Sequence, residues 1–189
     1  MELLEQRILT DGKLLPGGIL KVDSFLNHQM DPKLLQAMAR EFKRLFADVR
    51  VDRVFTIEAS GIAMAILAGL EFDCPVVFAK KSKTKNLSDA LYTAEVPSFT
   101  HGNVNTVVVS REYLHAGENV LLIDDFLATG AALLGLRSLV EQAGGTVVGA
   151  GIAVEKVFQG GGDKLRAEGL RIESLARIAS MDESGIRFC

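Results

Sequence analysis

Apolar residues recur at helical spacing in four parts of the chain. Helices are therefore predicted for the stretches MELLEQRIL, KLLQAMAREFKRLFADV, IAMAILAGL and AALLGLRSLVEQAG. The second follows Asp31-Pro32, a typical helix start with Asp at the N-cap and Pro in the first turn. The fourth closes at Gly144-Gly145, a typical helix end.

Shorter apolar runs without helical spacing lie between these helices and predict strands. They are RVFTIE, PVVFAK, VNTVVVS, NVLLIDD, TVVGAGIAVEK and LRIESLARI. Because the runs are continuous and alternate with helices, we predict an α/β fold, a mostly parallel sheet flanked by helices on both faces. The 189 residues are expected to form a single domain, with an irregular cap over about the first 30.

Charged or small residues follow four of the predicted strands. The segments are IEASG at 57–61, AKKSK at 79–83, DDFLATG at 124–130 and VEKVF at 154–158. In open parallel sheets, ligands bind in the crevice outside the carboxyl ends of the strands. These segments therefore predict a binding site at that edge of the sheet.

Charge and composition limit the partners. A formal net charge of −3 gives no electrostatic reason to expect nucleic acid or an anionic membrane as the main partner. The N-terminal stretch does not resemble a signal peptide, and no run approaches the roughly 20 apolar residues of a membrane span. Cys74 and Cys189 are too few for a disulfide framework or a zinc site, so we expect a cytoplasmic protein with free thiols.

Small residues join the fourth strand to the fourth helix, in the order Ala128, Thr129, Gly130, Ala131 and Ala132. Their backbone N–H groups can approach a ligand closely, and the first N–H groups of a helix are unsatisfied and lie at its positive end. This arrangement favours binding of a phosphate group. The alternative is an ordinary turn in which Thr129 caps the helix. The segment matches neither the Walker nor the G-x-G-x-x-G pattern.

Two carboxylates, Asp124 and Asp125, precede this loop. Ionised carboxylates only accept hydrogen bonds, so a neighbouring pair can hold the two hydroxyls of a ribose whose phosphate binds the loop. Negative charge there also favours a sugar that becomes cationic in its transition state. The motif predicts a ribose 5-phosphate site, with a solvated acidic strand end as the alternative.

The stretch VLLIDDFLATGAA resembles the signature of the type I phosphoribosyltransferases. The segments LKVDSFLNHQ, TIEASGIA, PVVFAKK, VEKVFQ and ESLARI extend the resemblance along essentially the whole chain, in the order of the bacterial xanthine-using members. The resemblance implies an enzyme that makes xanthosine 5'-monophosphate and pyrophosphate from xanthine and 5-phosphoribosyl 1-pyrophosphate (PRPP), with Mg²⁺ held mainly through PRPP and water. It also implies a homodimer that works in purine salvage.

The resemblance implies roles for individual residues. The loop from Ala128 to Ala132 is expected to hold the 5'-phosphate, although many relatives have Ser or Thr where this chain has Ala132. Asp124 and Asp125 are the expected catalytic pair. Glu58, Ala59, Ser60 and Gly61 match the pyrophosphate loop, in which relatives carry a cis peptide, so we predict one near Ala59. Lys80 and Lys81 resemble lysines that reach pyrophosphate, in related enzymes from the neighbouring subunit.

For the base, the resemblance points to Leu20, Asn27 and Lys156. A lysine donates to a purine carbonyl oxygen and disfavours the amino group of adenine, and an amide offers both a donor and an acceptor. Residues 1–30 and about 156–189 are expected to form a small hood over this site, and the polar segment 82–103 a mobile loop that closes over the reacting centre. Phe126 and Phe158 are candidate apolar walls for the ring, but a Phe near a strand end more often belongs to the core.

Other functions stay open at this point. The enzyme could use guanine, hypoxanthine or adenine instead. The same fold serves PRPP-sensing purine repressors, but those carry an N-terminal DNA-binding domain for which we expect no room here. Receiver-type signalling domains also end a strand in an acidic pair, but on the first strand, whereas this pair follows residue 120.

Overall fold

The structure is a computed structural model that describes residues 1–81, 90–97, 104–182 and 185–189. Its helices are α1 (Glu2–Asp11), α2 (Pro32–Leu45), α3 (Gly61–Phe72), α4 (Ala131–Gln142) and α5 (Gly161–Ala167). Its strands are β1 (Lys13–Leu15), β2 (Ile19–Lys21), β3 (Arg53–Ile57), β4 (Val76–Ala79), β5 (Leu91–Pro97), β6 (Val104–Ser110), β7 (Asn119–Leu127), β8 (Thr146–Lys156), β9 (Ile172–Asp182) and β10 (Gly185–Phe188). A π-helical turn covers Asp23–Asn27 and a 3₁₀ turn Val157–Gln159.

Six strands form the central sheet, in the order β10-β9-β8-β7-β3-β4. All neighbouring pairs are parallel except β10 with β9, which is an antiparallel edge pair. Separate apolar clusters pack on the sheet, one with α1, α2 and α3 and the other with α4 and α5. The predicted α/β fold with a mostly parallel sheet is therefore confirmed.

The run VNTVVVS forms a strand, but its place in the fold was predicted wrongly. As β6 it pairs antiparallel with β5 in a hairpin, and among the described residues its only backbone bridge to the central sheet joins Val108 to Lys80. Its partner β5 lies inside the segment 82–103, which the sequence indicated to be a loop. Residues 82–89 and 98–103 of that segment lie outside the described residues.

The N-terminal cap is built from α1, the β1–β2 hairpin and the π-helical turn. Asp31 begins α2 as predicted, since its carboxylate accepts from the backbone N–H groups of Lys33 and Leu34 at 3.0 and 3.2 Å. The other oxygen of Asp31 accepts from Arg7 of α1 at 2.7 Å. One N-cap residue thus starts a helix and ties the cap to the domain. Within the described ranges, no helix is both long and apolar enough to cross a bilayer.

Candidate active site

A cavity of about 260 Å³ opens at the carboxyl ends of β3 and β7. It brings together most of the residues that the sequence assigned to the sugar and its phosphates. Its lining residues are Ile57, Glu58, Ser60, Lys81, Val96, Pro97, Asn105, Asp124, Asp125, Phe126, Leu127, Ala128, Thr129, Gly130, Ala131, Ala132 and Leu133. Acidic, basic and small residues from distant parts of the chain therefore face one space.

The loop after β7 presents backbone rather than side chains to this cavity. Gly130 is the N-cap of α4 and has a left-handed backbone, with φ of 87°. No side-chain hydrogen bond caps this helix, so the alternative in which Thr129 is an ordinary capping residue is wrong. The N–H groups of the first helical turn, beginning at Ala131 and Ala132, have no partner within the helix. They line the cavity at the positive end of α4.

The acidic pair is part of β7 rather than a solvated end after it. The exposed fraction is 4% for Asp124 and 9% for Asp125, so the alternative of a solvated strand end is wrong. Burial, followed by the charge and hydrogen bond of Asp125, raises the pKa of Asp124 well above its ordinary value. The nearby Lys81 opposes that rise. Asp124 is therefore a buried carboxyl that a cationic or hydrogen-bond-donating ligand would stabilise in its charged form.

The loop between β3 and α3 has the predicted unusual bond. The Glu58–Ala59 peptide is cis, which confirms the prediction made from the resemblance. A Cβ atom at Gly61 would collide with the buried Thr56 hydroxyl, so the start of α3 can approach β3 only with glycine there. Glu58 and Ser60 line the cavity, whereas Gly61 is buried and Ala59 is exposed.

The two successive lysines take different places. Lys81 lines the cavity of its own chain, and its backbone N–H donates to the Glu58 carboxylate at 2.6 Å. Lys80 exchanges backbone hydrogen bonds with Val108 and lines a separate groove with Phe78. Of this pair, Lys81 is thus the one placed to reach a ligand beside Asp124.

The residues assigned to the base lie in the cap and at the end of β8, and none of the three is among the residues that line the cavity. The Lys156 ammonium donates to the Gly18 carbonyl at 3.2 Å and lies 5.7 Å from the centre of the Phe126 ring, which itself lines the cavity. Burial lowers the pKa of Lys156. Leu20 is 6% exposed. The Asn27 amide oxygen is buried without a hydrogen-bond partner among the described residues, as a ligand-binding group can be.

Sequence reasoning missed part of the cavity wall. Val96, Pro97 and Asn105 come from the β5–β6 hairpin, where the sequence predicted a loop and a strand of the central sheet. It also missed α5, which packs behind the small-residue loop. The run of glycines at 160–162 was the one signal that pointed to a close approach there.

Comparison with known proteins agrees with this geometry. The phosphoribosyl transferase domain family matches residues 24–172. Xanthine phosphoribosyltransferases from Bacillus cereus (strain AH187) and Bacillus cytotoxicus are each 50% identical over 188 residues, covering 100% of this chain and 95% of theirs. The structure of the Giardia lamblia adenine enzyme with 9-deazaadenine superposes with a TM-score of 0.78 at 22% identity, covering 92% of this chain and 97% of that one. The Saccharomyces cerevisiae adenine enzyme gives 0.74 at 22% identity, covering 93% and 99%. This chain belongs to the phosphoribosyltransferase family.

Proposed function

We propose that this protein transfers the 5-phosphoribosyl group from PRPP to xanthine, giving xanthosine 5'-monophosphate and pyrophosphate in purine salvage. One observation carries the proposal. The buried carboxylate pair and the N-terminal turn of α4 line the same cavity, so a single ligand can place its diol at one and its phosphate at the other. The choice of xanthine is supported by the relatives of that name, which match at 50% identity over the whole chain.

The sugar phosphate is held by the segment that follows the acidic pair. Backbone N–H groups from Ala128 to Ala132 bind the 5'-phosphate. Asp124 and Asp125 accept from the ribose hydroxyls and stabilise the positive charge that develops at the sugar as its bond to pyrophosphate breaks. A purine nitrogen forms the new bond to the same carbon from the opposite face, and the proton of that nitrogen passes to the departing pyrophosphate or to water. Most of the catalytic effect comes from holding the two substrates in this orientation.

The pyrophosphate lies toward the loop between β3 and α3. Ser60 and Lys81 line the cavity there and offer a hydroxyl and an ammonium donor. Mg²⁺ fits the acidic pair that lines the same cavity, because this ion typically takes one or two carboxylates together with substrate phosphates and water. It would be held mainly through PRPP and water, with Asp124 and Asp125 as the neighbouring carboxylates, and it would supply positive charge opposite the leaving pyrophosphate. Among the described residues, no three His, Cys, Asp or Glu side chains cluster as a metal cage of their own.

Base recognition falls to Lys156, Asn27 and Leu20. The Lys156 ammonium donates to a purine carbonyl, and the unpaired Asn27 oxygen accepts from a ring N–H. Adenine lacks the carbonyl and offers an amino group in its place, so it leaves the lysine without an acceptor. Leu20 contributes an apolar contact. Residues 1–30 and about 156–189 together form the hood of a single domain over this site.

We infer that the enzyme acts in the cytoplasm as a homodimer. Ile66 and Leu70 stand exposed on α3, at 55% and 70%, and α3 packs beside β4. Phe78 of β4 and Tyr113 are also exposed and line one groove. We propose that these four exposed residues, named here the α3–β4 patch, contribute to the surface that a second copy covers.

The direct test is turnover with PRPP and Mg²⁺ against xanthine, guanine, hypoxanthine and adenine in parallel. We expect xanthine to give the highest kcat/KM. We expect adenine to be poorer by at least about a hundredfold, because losing the hydrogen bond to the half-buried Lys156 ammonium costs that order of discrimination. A preference for adenine would overturn the roles of Lys156 and Asn27. PRPP binding without turnover of any base would indicate a sensor rather than an enzyme.

A further inference from the structure

Helix α5 packs directly against the main chain of the phosphate-binding loop. A Cβ atom built at Gly161 would collide with the Ala128 carbonyl oxygen and lie 2.7 Å from the Gly130 nitrogen. A Cβ atom built at Gly130 would in turn lie 2.8 Å from the side chain of Leu165 in α5. Gly161 and Leu165 are buried and are not among the described residues that line the cavity. The loop therefore has α5 behind it and the ligand cavity before it.

An ion pair fixes α5 in this position. Glu155, at the end of β8, is 1% exposed and accepts from both terminal nitrogens of Arg166 in α5, at 2.6 and 2.7 Å. Gly162 lies against this pair, because a Cβ there would collide with the carboxylate and lie 2.8 Å from Arg166 Nη1. Because neither residue has a side chain, Gly161 lets α5 lie against the loop and Gly162 lets it lie against the ion pair.

The sheet places this ion pair beside the loop. Glu155 lies opposite Leu127, the last residue of β7 before the loop, and opposite Arg177 of β9, whose Nε is 3.3 Å from the carboxylate. Burial is the largest single effect and raises the pKa of Glu155, but the hydrogen bonds and the positive charges of its partners, Arg166 foremost, together leave that pKa below its ordinary value. The carboxylate is therefore charged at neutral pH, and two guanidinium groups compensate it.

We propose that Glu155 and Arg166 are positioning residues for the phosphoribosyl substrate: by fixing α5, they hold the main chain from Ala128 to Gly130 in the shape that receives the 5'-phosphate. Neither residue touches the ligand. The inference rests on the proposed function for the identity of that ligand. The affinity for the phosphate then depends on an ion pair behind the loop, although neither Glu155 nor Arg166 lines the cavity.

The test is Glu155→Gln, probed with ribose 5-phosphate and with PRPP. Glutamine keeps the size of the side chain but loses the charge and one acceptor. We expect the affinity for ribose 5-phosphate, measured by calorimetry, to fall about tenfold, as a loss of about 1.4 kcal/mol would give. The KM for PRPP rises by a similar factor, while kcat at saturating PRPP and the KM for xanthine stay within about twofold, because a phosphate contact is equal in ground and transition states. Arg166→Lys keeps a cation beside Glu155. We expect it to weaken ribose 5-phosphate binding and raise the KM for PRPP by a smaller factor, with kcat and the KM for xanthine again unchanged.

Glu118→Gln is the matched control. Glu118 makes the same two-pronged pair with Arg53, at 2.8 and 2.5 Å, but immediately before the other end of β7. We expect it to lower the melting temperature without changing ribose 5-phosphate affinity. The proposal is overturned if Glu155→Gln binds ribose 5-phosphate like the wild type, or if Glu118→Gln weakens binding equally. If Glu155→Gln does not fold, Arg166→Lys decides by the same criteria. Failure of the wild type to bind ribose 5-phosphate would instead overturn the proposed function.

Discussion

The backbone N–H of Asp125 donates to the Oδ1 oxygen of Asp124, 3.0 Å away, within a strand that buries both carboxyl groups. This single hydrogen bond offsets only part of the cost of placing two acids side by side, since the pKa of Asp124 remains raised, chiefly by burial. The free protein therefore carries a site that is unfavourable for its own stability. Under the proposed function, the hydroxyls of the bound sugar and a cation would supply the compensation.

Asp124→Asn should stabilise the free protein at neutral pH and abolish turnover. Because the folded pKa lies above the ordinary 3.8, the folded state holds its proton more tightly than the unfolded state. Wild-type stability therefore falls as pH rises from that ordinary value through the folded pKa, and stays lower above it. Asparagine removes the charge and keeps the oxygen that accepts from Asp125. We expect a melting temperature higher by at least about 2 °C at neutral pH, the shift that about 1 kcal/mol produces in a chain of this size.

The measurement is thermal unfolding between pH 4 and 8, roughly the window in which a raised carboxyl pKa acts, with PRPP turnover in parallel. The stability profile of Asp124→Asn should be flatter than that of the wild type. Asp73→Asn, at an exposed position after α3, serves as the control and should leave both properties unchanged. A lower melting temperature for Asp124→Asn at neutral pH would contradict the prediction.

Lys156→Ala should weaken recognition of the purine base without changing the binding of the sugar phosphate. Its ammonium is held at the Gly18 carbonyl, 3.2 Å away, at the edge of the cavity beside Phe126. We expect kcat/KM for xanthine to fall by about ten- to a hundredfold, the loss of a hydrogen bond from a charged donor, with ribose 5-phosphate affinity unchanged.

Lys21→Ala is the control for Lys156→Ala, since Lys21 lies in the β1–β2 hairpin that also carries Gly18. Its side chain is 51% exposed and forms an ion pair only with Asp23 among the described residues. It should leave both measurements unaltered. Equal losses for xanthine and ribose 5-phosphate in Lys156→Ala would mean that the lysine supports the whole cap rather than the base.

Gly135→Ala should be destabilising although alanine favours helices. A methyl group at Gly135 in α4 would collide with the side chain of Val96, which lines the cavity from the β5–β6 hairpin. Overpacking costs about 1–3 kcal/mol, more than the roughly 1 kcal/mol that alanine gains over glycine in a helix. We expect a lower melting temperature and a higher KM for PRPP. The double variant Gly135→Ala/Val96→Ala should recover both, and a Gly135→Ala protein more stable than the wild type would refute the contact.

Leu70→Asp should disrupt the homodimer if the α3–β4 patch is its interface. Leu70 is 70% exposed in the single chain, so a charge there costs little in a monomer and much in a buried interface. Sedimentation velocity should show a dimer for the wild type and a monomer for Leu70→Asp. Leu3→Asp, exposed by 53% on α1, is the control and should stay dimeric. A dimeric Leu70→Asp protein would place the interface elsewhere.

Local signals predicted much of the fold because they act within a few residues. The predicted alternation of helices with continuous apolar strands was confirmed. The predicted start of α2 was confirmed too, since Asp31 accepts from N–H groups two and three residues ahead. The β5–β6 hairpin was missed because β5 alternates weakly between half-buried and exposed positions and carries polar residues throughout. Its burial comes from β6, the next strand, and from α4, which begins only at Ala131 and is therefore distant in sequence.

The sequence by itself determined the fold class and the order of chemical groups along the chain: an acidic pair at the end of an apolar strand, small residues after it, and a helix to follow. Residue type and spacing suffice for that, since backbone geometry brings neighbours together. Only the tertiary structure decided that Lys81 rather than Lys80 meets the cavity, and that α5, which the Glu155–Arg166 pair holds, packs behind the loop. Those relationships depend on strand order and on close packing between distant segments, which periodicity does not encode.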